Sequence, residues 1–205
     1  MTVKVKICGI TRAEDAAAAA RLGADAIGLN FWPSSRRHIA PAAARAIVRT
    51  LPPFTVAVGV FVDATRDEIL RAAELAGIQV IQLHGDEPPE LAAALPLPVV
   101  KALRVADRAA LAPIASYPAA AFLLDAPTPG YGGSGTTFDW ALAAEAARGG
   151  RVILAGGLTP ENVADAVRAV QPWAVDVASG VERAPGVKDE EKMARFVRAA
   201  KGTTP

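Results

Sequence analysis

Cys8 is the lone cysteine of the chain, and Gly9 follows it directly. A lone cysteine is most often a small buried apolar group. At the end of an apolar run, beside a glycine, it is also a candidate base or nucleophile. It then needs help to ionise, because a free thiol has a pKa of about 8.5. Lys4, Lys6 and Cys8 share one face of an alternating segment, while Val3, Val5 and Ile7 share the other. Lys6 is thereby placed beneath the thiol, where a cation lowers a thiol's pKa. The plainer alternative is that Lys6 pairs with a carboxylate such as Asp176. Asp125 ends the run Ala121-Phe122-Leu123-Leu124. A carboxyl there tends toward desolvation, which raises its pKa and suits a general acid. The competing reading is a helix cap or turn aspartate.

Two glycine-bearing turns suit an anion. Leu154-Ala155 runs into Gly156-Gly157-Leu158-Thr159-Pro160, and Val177-Ala178 runs into Ser179-Gly180-Val181-Glu182. Glycine lets backbone N–H groups come close to a phosphate. Ser34-Ser35-Arg36-Arg37-His38 offers two guanidinium groups, either of which could grip a carboxylate. His84 either contacts a ligand or caps the strand before it. The segment Ala126 to Thr137 holds Gly130, Gly132, Gly133 and Gly135 and reads as a lid or substrate-contacting loop. Two histidines without metal-ligand spacing lead us to expect no catalytic metal.

These residues fall at the ends of eight short aliphatic runs: Val3–Cys8, Ala26–Phe31, Thr55–Val62, Val80–Leu83, Val99–Leu103, Ala121–Leu124, Val152–Ala155 and Val175–Ala178. Each has the length and content of a strand buried on both faces. Helical spacing lies between them, as in Ile69, Leu70, Ala73 and Ala76, or Val163, Ala166, Val167 and Val170, or Met193, Phe196, Val197 and Ala200. Ala40-Pro41 and Thr159-Pro160 mark helix starts. Eight strands alternating with eight helices mean a parallel α/β fold, either an open doubly wound sheet or a closed barrel. The absence of any break in composition favours one domain over residues 1–205, a (β/α)8 TIM barrel. It would be compact, with short loops, since such barrels average about 250 residues. In that fold the C-terminal strand ends form the active site, which groups the residues above.

Net charge is +1, from 22 basic and 21 acidic residues, so nothing suggests a nucleic-acid partner. The N-terminus lacks a signal-peptide pattern, and no apolar run is long enough to span a bilayer. One cysteine fits a reducing compartment. A cytoplasmic protein with no membrane partner is expected, and the composition permits a monomer or a homodimer.

Lys6-Ile7-Cys8-Gly9-Ile10-Thr11 resembles the opening motif of the phosphoribosylanthranilate isomerases. The same holds for Gln82-Leu83-His84-Gly85, Gly132-Gly133-Ser134-Gly135 with Phe138-Asp139-Trp140, and Leu154 to Val163. Asp176 to Glu182 and Gly186-Val187-Lys188-Asp189 complete the match, in order along nearly the whole chain. The resemblance implies an intramolecular oxidoreductase that performs an Amadori rearrangement in tryptophan biosynthesis without a cofactor. The substrate is N-(5-phosphoribosyl)anthranilate and the product 1-(2-carboxyphenylamino)-1-deoxyribulose 5-phosphate. It implies Cys8 as general base at ribose C2 and Asp125 as general acid on the ring oxygen. It further implies Arg37 as the carboxylate clamp and a phosphate held at Gly156, Gly157, Ser179 and Gly180. Asp176 also matches the pattern; beside a phosphate it is expected to bind a sugar hydroxyl or a lysine. Two alternatives stand beside this reading. One is another phosphate-binding barrel isomerase or epimerase, although an epimerase of ribulose phosphate needs metal-binding residues missing here. The other is a non-catalytic phosphosugar-binding barrel.

Overall fold

In the computed structural model, which describes residues 2–126 and 140–202, every aliphatic run becomes a strand. They are β1 (Lys4–Cys8), β2 (Ala26–Asn30), β3 (Val56–Phe61), β4 (Val80–Leu83), β5 (Val99–Arg104), β6 (Ala121–Asp125), β7 (Val152–Leu154) and β8 (Ala174–Val177). Neighbours pair in parallel, in sequence order, and β1 pairs with β8 to close the barrel. Closure leaves no free edge, which decides between the two architectures open to the sequence.

Alternation along each strand builds two apolar layers. Val5, Ile7, Ile27, Leu29, Ile81 and Leu83 face outward and pack with the helices in one core. Val100, Ala102, Ala121, Leu123, Ile153, Ala155 and Ala174 fill the barrel interior. Lys6, Gln82 and Asp176 are buried as well. The outer ring comprises α1 (Ala13–Arg21), α2 (Pro41–Val48), α3 (Arg66–Ala76), α4 (Pro89–Ala93), α5 (Trp140–Ala147), α6 (Val163–Val170) and α7 (Glu190–Lys201). The apolar stripe of α7 is fully buried: Met193, Phe196, Val197 and Ala200.

Two expectations need correction. The connection after β5 is not an α-helix but a 3-10 helix, Arg108–Ala115, with Pro113 inside it and no buried residue. Proline lacks the N–H that an α-helical ladder would use, and only the half-buried Leu111 and Ile114 hold this segment to the core. Second, α6 begins at Val163 with Asn162 before it, not at Pro160. The chain turns earlier: the Asn162 Oδ1 accepts from Thr159 N at 2.8 Å, and Thr159 O accepts from Val163 N at 3.1 Å. The start after Ala40, with Pro41 in the first turn, is as expected.

A short antiparallel pair, β9 (Glu182–Ala184) and β10 (Val187–Lys188), follows β8. It is tied to the chain after Cys8: Thr11 Oγ1 donates to Gly186 O at 2.6 Å, and Lys188 N donates to Asp15 Oδ2 at 3.0 Å. The glycine-rich segment 126–137 lies, apart from Ala126, outside the described residues.

Candidate active site

Cys8 and Asp125 stand at the last positions of β1 and β6 and line one cavity at the C-terminal mouth of the barrel. Arg37, Gly156, Gly157, Asp176 and Ser179 line it too, with Gln82 of β4 and His84 just after it. The structure thus gathers residues separated by up to 171 positions, as strand-end placement requires.

Cys8 lies over Lys6, whose Nζ donates to Asp176 Oδ1 at 2.9 Å, with both groups buried. Gly28 on β2 makes room for them: a Cβ there would lie 2.6 Å from the Cys8 Sγ and 3.1 Å from Lys6 Nζ. Burial opposes the Lys6 charge, but Asp176, and then Cys8, more than restore it, so its pKa stands above the ordinary value. The thiol behaves otherwise than the sequence suggested. Burial pushes Cys8 up, Asp176 adds to that, and the downward pulls of Lys6 and Lys188 do not overcome them. Lys6 is already committed to Asp176, so the substrate-free site holds a thiol.

Asp125 is buried, and its Oδ1 accepts from Ala126 N at 2.9 Å. Its other oxygen faces His84 Nε2 at 3.5 Å, and His84 Nδ1 lies 2.9 Å from Gln82 Nε2. His84 is therefore part of the site, not a cap on its strand.

Arg37 reaches the cavity across Gly9. That residue has φ +74°, and a Cβ on it would fall 2.3 Å from Arg37 Cδ. The Nε and Nη2 of Arg37 donate to the two Glu182 oxygens at 2.8 and 2.7 Å. Glu182 also accepts from Lys188 Nζ at 2.8 Å and from Gly186 N at 3.2 Å. Burial alone would raise the Glu182 pKa; Arg37 and Lys188 hold it below the ordinary value instead. Burial lowers Lys188 despite that partner. Two cations sharing one carboxylate leave one positive charge beside the cavity. Arg36 is exposed and lines an adjoining cavity but not this one, which separates the two arginines.

Gly156 and Gly157 have φ +78° and +66°. A Cβ on Gly156 would lie 2.4 Å from Ala126 N, so only glycine lets this turn pass beside Asp125. The N–H groups of Gly157 and Ser179 donate to no carbonyl among the described residues. Gly180 does not line the cavity. A Cβ on it would fall 2.0 Å from Leu158 O, so it serves the close packing of the turns after β7 and β8.

Asn30, Trp32 and Ser35 also line the cavity and escaped the sequence reading. The polar end of β2 was a usable signal for Asn30. Nothing in local spacing marks Glu182 and Lys188 as the support of Arg37. Among the described residues, no group of three or more His, Cys, Asp and Glu could hold a metal ion.

Fold and site together define a (β/α)8 barrel enzyme whose mouth gathers a thiol, a carboxyl and a guanidinium in one cavity. The family model for N-(5'phosphoribosyl)anthranilate (PRA) isomerase matches residues 5–199. The chain belongs to that family. It is 52% identical to the N-(5'-phosphoribosyl)anthranilate isomerase of Geobacter metallireducens, covering 97% of this chain and 99% of the relative. The crystal structure of phosphoribosyl anthranilate isomerase from Thermus thermophilus superposes with a TM-score of 0.89 at 52% identity, covering 96% and 98% of the two chains. A phosphoribosyl anthranilate isomerase in complex with reduced 1-(o-carboxyphenylamino)-1-deoxyribulose 5-phosphate matches with a TM-score of 0.89 at 42% identity, covering 98% and 99%.

Proposed function

We propose that this chain, acting as one domain, converts N-(5-phosphoribosyl)anthranilate to 1-(2-carboxyphenylamino)-1-deoxyribulose 5-phosphate in tryptophan biosynthesis. The observation that carries the residue assignment is that Cys8 and Asp125 line one cavity whose rim holds Arg37 and the turn at Gly156 and Gly157. Asp125 gives its proton to the furanose ring oxygen. The anthranilate nitrogen lone pair expels that oxygen and leaves an open-chain iminium. Cys8, ionised by release of its thiol proton to solvent, takes the proton from C2. The C–H electrons form C1=C2 and neutralise the nitrogen, and the resulting enolamine tautomerises to the ketone. A cationic imine beside Cys8 favours the thiolate, against the burial that holds the free site as a thiol.

Glu182 occupies two nitrogens of Arg37, which leaves Nη1 for the anthranilate carboxylate. The substrate phosphate is assigned to the turns holding Gly156, Gly157 and Ser179, where backbone N–H groups can stabilise an anion. Gly180 keeps those turns together. Asp176 holds Lys6 and closes the floor. The substrate's anthranilate fluorescence gives the test. The account expects purified protein to abolish it catalytically; binding without any loss of fluorescence would leave only a phosphosugar-binding barrel.

The other end of the barrel bears a different feature. Phe54 is 94% exposed there, beside Trp173, at the rim of a cavity lined by Val56, Val80, Pro98 and Ile153. We place a homodimer contact on this face, because an aromatic side chain projecting beside an apolar cavity can be buried reciprocally in a second copy. No helix among the described residues is long and apolar enough to cross a membrane. A lone free cysteine supports a cytoplasmic setting.

A further inference from the structure

Gln82 is the one buried side chain of the described residues with an unpartnered polar atom, its Oε1. Its Nε2 meets His84 Nδ1 at 2.9 Å, and His84 Nε2 faces Asp125 Oδ2 at 3.5 Å. An amide donor at Nδ1 requires the ring lone pair there. The ring proton is then on Nε2 and points at Asp125 Oδ2, which accepts it best as a carboxylate. Rotating the Gln82 amide by half a turn presents Oε1 instead. The ring must then carry a proton on Nδ1, which matches the state in which His84 and Asp125 share one further proton. The two ends of an amide have nearly the same shape, so one buried slot accepts both orientations. Either way one end of the amide lacks a partner. A fixed donor to Oε1 would lock one state, and its absence keeps the two close in energy.

The backbone cannot make this choice. His84 N donates to Phe61 O at 2.8 Å, and the next turn is held by Gly85 N on Glu87 and by Lys101 Nζ on Gly85 O. Around the pair, β1 contributes Cys8 and Lys6, β8 contributes Asp176, and β5 contributes Lys101, which is paired with Glu87. Arg104 of β5 is paired with Asp86, Asp63 after β3 accepts from Asp86 N, and Val60 of β3 and Val62 just after it complete this side. Asp125 is the carboxylate within ion-pair distance of His84.

We propose that Gln82 is a positioning residue for the general acid: its amide presents Oε1 to His84 while the His84–Asp125 pair holds the acidic proton, and Nε2 once that proton has gone. Both forms of the acid are thus supported without a change in the fold. The inference rests on Asp125 being the acid, but its first test needs no catalysis.

The chain has two histidines, and His38 is exposed, so nitrogen NMR of the full-length protein resolves His84 against an internal reference. The His84 Nδ1 signal and the Gln82 side-chain amide signal are expected to titrate with one shared midpoint, and Asp125→Asn is expected to move both together to lower pH. Gln82→Glu, a permanent acceptor, raises the His84 midpoint by about one pH unit, a tenfold shift in proton affinity. Gln82→Met removes the orphaned oxygen and folds with a melting temperature at or above the wild type. Its kcat falls about fivefold to tenfold, the scale of one lost hydrogen bond, with KM within about twofold. Separate midpoints for Gln82 and His84, or a midpoint that Gln82→Glu leaves unmoved, overturn the inference. An active Asp125→Asn variant would instead overturn the assignment of the acid while leaving the NMR result standing.

Discussion

Glu182→Gln tests the electrostatics under the substrate clamp. In the native chain the Glu182 side chain is 5% exposed and accepts from Arg37 twice, from Lys188 and from Gly186. Glutamine keeps the shape and removes the charge, so two cations face one another across a neutral amide. Removing one partner of a buried ion pair costs about 3–5 kcal/mol, because it leaves an uncompensated charge. In a chain of this size that lowers Tm by roughly 6–20 °C. The loss depends on pH, and its sign follows from the two shifted groups. The folded-state pKa of Lys188 already lies below its ordinary value of 10.5. Losing Glu182 depresses it further, so the folded variant sheds this proton at lower pH than the unfolded chain. Stability of the variant then rises with pH from its own folded value upward, and the deficit narrows until pH reaches the wild type's folded Lys188 value, below 10.5. On the acid side, Glu182 is held below 4.5 in the fold. Its stabilisation is complete above the unfolded value and is lost as pH falls through the folded one. The gap between variant and wild type is therefore widest near neutrality. Chemical denaturation from pH 3 to 10 measures it. A gap under about 1 kcal/mol, or one independent of pH, would refute this reading of the cluster. The same variant loosens Arg37, so KM is expected to rise more than kcat falls.

Lys6→Met strands Asp176 and costs about 3–5 kcal/mol in denaturation, and adding Asp176→Leu recovers most of it; no recovery would show that the pair is not the origin of the loss. Thiolate absorbance of the substrate-free protein reports on Cys8 alone, since it is the lone cysteine. Its midpoint is expected above that of a free thiol and moves higher in Lys6→Met; a wild-type midpoint below the free-thiol value would contradict the dominance of burial. Phe54→Glu places a charge on the exposed face and converts a dimer to a monomer in light scattering without changing kcat; a wild-type monomer at working concentration would refute that contact.

The barrel was legible because its strands are aliphatic on both faces, a pattern that needs no long-range information. Strand-end position then brought Cys8, Asp125, Arg37, Gly156, Gly157 and Ser179 into one cavity. Strand parity anticipated Lys6 beneath Cys8, and a lysine was one of the two partners expected for Asp176. The direction of the Cys8 shift was not legible, because it depends on how much burial outweighs two cations. Arg37 and Glu182 lie 145 positions apart, so no local spacing could announce their pairing. The 3-10 connection after β5 hid behind an apolar composition that Pro113 prevents from becoming an α-helix.

The most direct test of the acid–base pair is the decay of substrate fluorescence in Cys8→Ser and Asp125→Asn, with binding of the reduced product analogue measured alongside. Each variant is expected to lose about 100-fold or more in kcat while binding the analogue nearly as the wild type does. Either variant retaining turnover near the wild-type level would contradict the assignment of that residue.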